Sequence, residues 1–265
     1  MSERVEIRRQ GAVAEVVLNR PEKRNALDMA MFDALFEAGE TLRNAKGLRA
    51  VLLRGKGAAF CAGIDTSEFQ RMMAETDAVK AEMLSSPAGA PNRFQRPATI
   101  WGELPVPVIA VVQGVAFGGG LQLALGADFR IAAPEAQFSI MEARWGLIPD
   151  MGITQSLPRL MRADHALDLI LTARIFDAVE AERLGLVTCI AADPLAEARA
   201  MAARFAAVSP DVLRSGKRLV QEGWTAAPGA ALRLEAELQV GLIAGPNQIE
   251  AVVAGLEKRA PQFHD

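Results

Sequence analysis

Near Gln155 the chain changes its hydrophobic period. Before that point short apolar runs of strand type alternate with helix patterns, and after it the segments repeat at helical spacing. Strands alternating with helices require a sheet covered by helices, so the first part must be a layered α/β body followed by a helical region. The strand-type runs are VEI and VAEVVL, separated by Gly11, then AVLLR, PVIAVV near Pro107 to Val112 and FRIA near Phe129 to Ala132. Between the second and third runs Asp28 stands as the N-cap of a helix reaching about Asn44, with Met31, Leu35, Ala38 and Leu42 on one face. The opening is therefore ββαβ.

Beyond Gln155, DHALDLILTA, DAVEAERLG, PLAEARAMAARFAA, PDVLRSGKRLVQEG and the stretch from Ala230 to Arg259 read as amphipathic helices. Gly185 and Gly223 fall where helix-ending glycines stand, and Pro194, Pro210 and Pro246 where new helices begin. Glu68 to Pro97 reads as a surface helix followed by a mobile loop, the other reading being that Met72, Met73 and Met83 line a flexible pocket.

Composition removes several classes of function. The 265 residues carry a net charge of −3, which leaves no electrostatic footprint for DNA or RNA. Two cysteines without CxxC spacing and two histidines do not assemble a zinc site of the common kinds, so no metal is expected. The N-terminus lacks an apolar stretch of signal type, and no run approaches the ~18 apolar residues of a membrane span. These features predict a cytoplasmic protein with reduced thiols and no membrane partner. GxSxG, HExxH, GxxxxGK[ST] and GxGxxG signatures do not occur, which weakens hydrolase, zincin and nucleotide readings.

Two glycine-rich turns each follow a strand-type run: GKGAAFCAGID, from Gly55 to Asp65, and QGVAFGGGLQLALGAD, from Gln113 to Asp128. A glycine triplet opening a helix, here Gly118 to Gly120, leaves unpaired N–H groups at the positive end of the helix dipole, which suits a developing oxyanion. The plain alternative is close packing of the helix on the sheet. A third segment, AQFSIMEARWGLIPDMGITQSLPR, sets Glu142 and Asp150 among apolar residues, where a carboxyl pKa rises towards the range of general acid–base work. For Asp150 the alternative is capping of a helix that begins near Gly152.

Taken in order, RPEKRNALD, FCAGID, GVAFGGGLQLALGAD, FSIMEARWGLIPDMGITQSLPR and GLEKRAPQF resemble the crotonase superfamily, that is the enoyl-CoA hydratase and isomerase family, over essentially the whole chain. The resemblance implies an α/β spiral of ββα units, here residues 1–195, and a helical C-terminal region, residues 196–265, that completes the pocket and mediates homotrimers, often paired into hexamers. It implies an acyl-CoA thioester substrate, coenzyme A entering as part of that substrate, and no permanently bound cofactor. By motif position the oxyanion donors are the peptide N–H groups of Ile64 and Gly119. Arg24, Ala26, Ala62 and Asp65 match positions that hold the bent coenzyme A, and Lys258 matches a lysine that reaches its nucleotide end.

One departure bears on the reaction. Family hydratases carry two glutamates beside the reacting carbons; the second corresponds to Glu142, but Gln122 stands at the first, and an amide neither takes nor gives a proton at neutral pH. Asp150 falls where dienoyl-CoA isomerases of the family place an acid, although those enzymes also carry an acid near the position of Gln122. The resemblance therefore puts double-bond isomerisation, with Glu142 and Asp150 shuttling protons, slightly ahead of 2-enoyl-CoA hydration by Glu142 with Gln122 positioning water. Thioester hydrolysis and dehalogenation remain open outcomes. A non-catalytic coenzyme A- or RNA-binding homologue is the remaining alternative, opposed by Glu142, the two glycine turns and the acidic charge.

Overall fold

The computed structural model describes residues 3–265. Its strands are β1 (Val5–Gln10), β2 (Val13–Leu18), β3 (Ala50–Gly55), β4 (Val108–Val112), β5 (Val115–Phe117), β6 (Phe129–Ala132), β7 (Gln137–Ser139), β8 (Phe176–Asp177) and β9 (Cys189–Ile190). A six-stranded sheet runs β1-β2-β3-β4-β6-β9, antiparallel only between β1 and β2. A second sheet runs β5-β7-β8, parallel and then antiparallel. Every apolar run expected as a strand is one.

The helix expected after Asp28 spans Met29–Arg43, and the Asp28 carboxylate accepts the Met31 N–H at 2.9 Å. Met31, Leu35, Ala38 and Leu42 are all buried on its inner face. Strand β4, VIAVV, is buried along its whole length, which a central parallel strand needs helices on both sides to achieve. On one side lies the main core with Phe32 and Trp101. On the other, helix Pro194–Ala206 sets Ala198 and Ala202 against Leu52, Ile109, Val111 and Ile131. The expected division between residues 195 and 196 thus falls inside a helix that packs on the sheet. Helices Pro210–Gly223, Pro228–Leu242 and Pro246–Glu257 follow, each opened by proline.

Two local expectations need correction. Gly185 ends its helix in the left-handed region, φ +84°, but Gly223 is the last residue of a helix whose C-cap is Trp224. The Glu68 to Pro97 stretch holds most of helix Thr66–Ala74, all of helix Thr76–Met83 and the start of helix Arg96–Glu103, and Met72 and Met83 line the cavity described below while Met73 stays exposed. Their inward side chains cover an apolar wall, which a purely surface helix would leave bare.

Candidate active site

The two glycine-rich turns lie side by side. Cys61 pairs with Ala116 in a parallel bridge, the Cys61 N–H donating to Val115 O at 3.0 Å and the Phe117 N–H to Cys61 O at 3.1 Å. This backbone-on-backbone contact is what demands glycine at two positions. A Cβ on Gly120 would sit 2.4 Å from the Cys61 carbonyl oxygen, and one on Gly63, φ +94°, 2.7 Å from that of Phe117.

The same contact aims the two expected donors. Ile64 pairs with Leu27 through Gly63 O and the Asp65 N–H, at 2.8 and 2.9 Å, so the Ile64 N–H itself points to the other side. Gly119 is the first residue of helix Gly119–Leu125, where no preceding turn supplies an acceptor. Gly119 stands against the Ile64 side chain: its Cβ position is 3.7 Å from Ile64 Cγ1. Both residues line one cavity of about 570 Å3, with Gly118, Glu142 and Asp150 in the same wall. Two main-chain donors without an acceptor in the wall of one cavity are what an oxyanion hole requires.

Glu142 stands on a short 3-10 turn, Glu142–Trp145, with its Oε1 3.4 Å from the Cβ position of Gly118. The Gln122 side-chain amide bridges it to the main chain. Its Nε2 donates to Glu142 Oε1 at 2.6 Å, and its Oε1 accepts the Met151 N–H at 2.8 Å. Glu142 Oε2 is buried and has no hydrogen-bond partner among the described residues. Burial raises the Glu142 pKa, the Gln122 N–H opposes that rise, and the charge of Asp150 adds to it. Burial likewise raises the Asp150 pKa. Asp150 does not cap the following helix, because Ile153–Leu160 starts from Gly152 without a side-chain cap bond.

The remaining expected contacts divide. Ala26 and Ala62 line the cavity. Asp65 lines it too, but its carboxylate is taken up as the cap of helix Thr66–Ala74: it accepts from Ser67 N and Oγ, both at 2.9 Å, and from Arg20 Nη1 at 2.6 Å. The Ser67 backbone N–H and the Arg20 guanidinium hold its pKa down at about 2. Arg24, in the left-handed region at φ 49°, is exposed and outside the cavity wall, whereas Lys23 is in it. Lys258 caps the C-terminus of the last long helix, also outside this wall.

Several wall residues were not foreseen: Phe32, Phe69, Val79 and Phe94 inside, Trp145 and Ile148 at the exposed rim. The Phe69 and Trp145 rings lie 5.1 Å apart. Cys61 is fully buried, which pushes its thiol up to about 12. Among the described residues no three His, Cys, Asp or Glu side chains gather as ion ligands, and no helix is long and apolar enough to cross a membrane.

Two peptide N–H groups and two half-buried carboxyls in the wall of one cavity suit the formation and protonation of a thioester enolate. The family model described as enoyl-CoA hydratase/isomerase matches residues 8–265. The chain belongs to the enoyl-CoA hydratase/isomerase family. A probable enoyl-CoA hydratase of Mycobacterium tuberculosis is 35% identical over 266 residues, covering 98% of each chain. The human enoyl-CoA hydratase domain-containing protein 2, mitochondrial, is 33% identical, over 95% of this chain and 85% of that one. Among solved structures, an enoyl-CoA hydratase from Bacillus anthracis superposes with a TM-score of 0.89 at 30% identity over 98% of both chains. One from Polaromonas sp. JS666 gives 0.89 at 32% identity over 98% of this chain and 99% of that one. As a member of the enoyl-CoA hydratase/isomerase family the chain is an acyl-CoA enzyme with the crotonase fold.

Proposed function

We propose that this family member moves double bonds in enoyl-CoA thioesters, with Glu142 and Asp150 as the two proton carriers. One observation carries the reading: both carboxyls line the cavity that holds the Ile64 and Gly119 donors, and burial raises both pKa values. A shuttle needs one carboxylate and one carboxylic acid. The Gln122 N–H on Glu142 favours its ionised form, so Glu142 is the base and Asp150 the acid.

On a 3,5-dienoyl-CoA, Glu142 takes a proton from the carbon next to the thioester, and the electron pair moves onto the carbonyl oxygen held by Ile64 and Gly119. The enolate then collapses as Asp150 returns a proton further along the chain, giving the conjugated 2,4-dienoyl-CoA. The two carboxyls end with their protonation states exchanged and reset through solvent. Gln122 positions Glu142 and carries no proton itself. Ala26, Ala62 and Lys23 flank the coenzyme A part of the cavity.

Hydration of 2-enoyl-CoA is the second reading, favoured by the hydratase names of the relatives and by Glu142 Oε2, buried beside the cavity and left without a partner. The two separate when purified protein is offered 2-enoyl-CoA and 3,5-dienoyl-CoA and the ultraviolet absorbance of the conjugated thioester is followed. Isomerisation raises the absorbance on the dienoyl substrate. Turnover of the 2-enoyl substrate alone overturns it in favour of hydration.

We also propose that the chain assembles as a trimer or a pair of trimers. Helices Pro228–Leu242 and Pro246–Glu257 expose Leu232, Val240, Ile249 and Leu256, more apolar surface than a soluble monomer usually leaves bare. Light scattering after size exclusion tests this, and a monomer at micromolar concentration refutes it.

A further inference from the structure

Behind the catalytic cavity lies a second cavity, of about 890 Å3, between the core and helix Pro210–Gly223. The two share a single wall residue, Met151, which is buried. Its Sδ stands 2.8 Å from where a Cβ on Gly119 would lie, so the thioether presses on the oxyanion turn. Gln122, which holds Glu142 on one side, lines the second cavity on the other. Thr99 stands beside Gly152 there, and Ala98, Leu125 and Leu160 supply apolar wall.

Resting on the reading of the first cavity as an acyl-CoA site, we infer that Met151 is the partition that sets acyl-chain length: its side chain ends the acyl pocket and keeps the distal part of a long chain out of the second cavity. Three cations stand in its wall and each donates to protein acceptors: Lys217 to Asp128 Oδ2 at 2.7 Å and to the Trp101 and Val106 carbonyls at 3.1 and 2.9 Å, Arg130 to the Leu186 and Ala127 carbonyls, both at 2.6 Å, and Arg159 to the Gln221 carbonyl at 3.1 Å. An unbranched thioether is also suited to filling an irregular gap between two cavities.

The test is calorimetric binding of saturated acyl-CoA thioesters from butanoyl to dodecanoyl, which needs no turnover. In the unaltered protein affinity levels off once the chain meets Met151. In Met151→Ala it continues to rise, by about fourfold for each methylene that enters the second cavity, so the dodecanoyl to butanoyl affinity ratio grows more than tenfold. Met151→Leu keeps the volume and the original profile. A ratio that is the same in Met151→Ala and the unaltered protein overturns the partition. If the alanine variant does not fold, affinity that climbs steadily to dodecanoyl-CoA in the unaltered protein overturns it equally. Failure of butanoyl-CoA to bind at all instead removes the acyl-CoA reading, and the partition with it.

Discussion

Replacing Gln122 by glutamate changes one atom of a buried bridge and reverses its chemistry. The retained oxygen still accepts the Met151 N–H, but the atom 2.6 Å from Glu142 Oε1 becomes an acceptor facing an acceptor. With both carboxyls ionised, charge centres ~4 Å apart at an effective dielectric of 20 repel by about 4 kcal/mol. The folded variant relieves this by keeping one proton between them, so the pair titrates above the ordinary carboxylate range in the folded state and within it in the unfolded chain. A group with a raised folded pKa contributes stability below its unfolded pKa and loses it as pH rises. Urea unfolding should therefore find the variant close to the unaltered protein at pH 5 and progressively weaker towards pH 8, by up to about 4 kcal/mol. A gap that stays constant from pH 5 to pH 8 would refute the bridge between Gln122 and Glu142. The same variant places a second acid beside Glu142 and should raise hydration of 2-enoyl-CoA.

Glu142→Gln should lower turnover by about 10²–10⁴ while acyl-CoA binding persists, and a loss below about threefold would remove Glu142 from proton transfer. Asp150→Asn should cost as much isomerase turnover as Glu142→Gln, since half a shuttle does not cycle; because Asp150 caps no helix, a large loss of thermal stability would point to a structural role instead. Gly120→Ala drives a methyl into the Cys61 carbonyl, so it should cost about 1–3 kcal/mol in urea unfolding and abolish activity together, and an active, equally stable variant would contradict the close contact of the turns. Asp65→Asn should destabilise the protein at neutral pH. The gap should close as pH falls from the ordinary carboxylate range towards about 2, because the depressed Asp65 pKa contributes stability that acid removes; a gap that does not change with pH refutes the hold that the Ser67 N–H and Arg20 have on this carboxylate.

Long apolar runs announced themselves in the sequence. Strands β2, β3 and β4 and the Met29–Arg43 helix are legible because their burial pattern repeats over several residues. Strands β7 and β8, at 3 and 2 residues, are too short to carry a period. The wall of the candidate site was legible where a backbone property depends on residue type, as at Gly119, and where an acid stands among apolar neighbours, as at Glu142. It was not legible where a side chain is claimed by a distant partner. Nothing local tells that Gln122 spans residues 142 and 151, nor that Arg24 turns outward while Lys23 lines the wall. Asp65 did carry a signal: with Glu68 three positions on, it is the start pattern of a helix, and capping is how its carboxylate is used.

The donors at Ile64 and Gly119 belong to the main chain, held by the ladder between Cys61 and Ala116. A replacement of the Ile64 side chain therefore cannot delete its donor, and on the proposed reading the means of stabilising the enolate is insulated from most single substitutions. On the proposed reading, proton transfer rests by contrast on two side chains of the cavity wall, Glu142 and Asp150, with Gln122 holding Glu142 from behind. Redirecting the enzyme to another fate of the same enolate becomes a problem of three side chains on a fixed platform, small enough to search exhaustively.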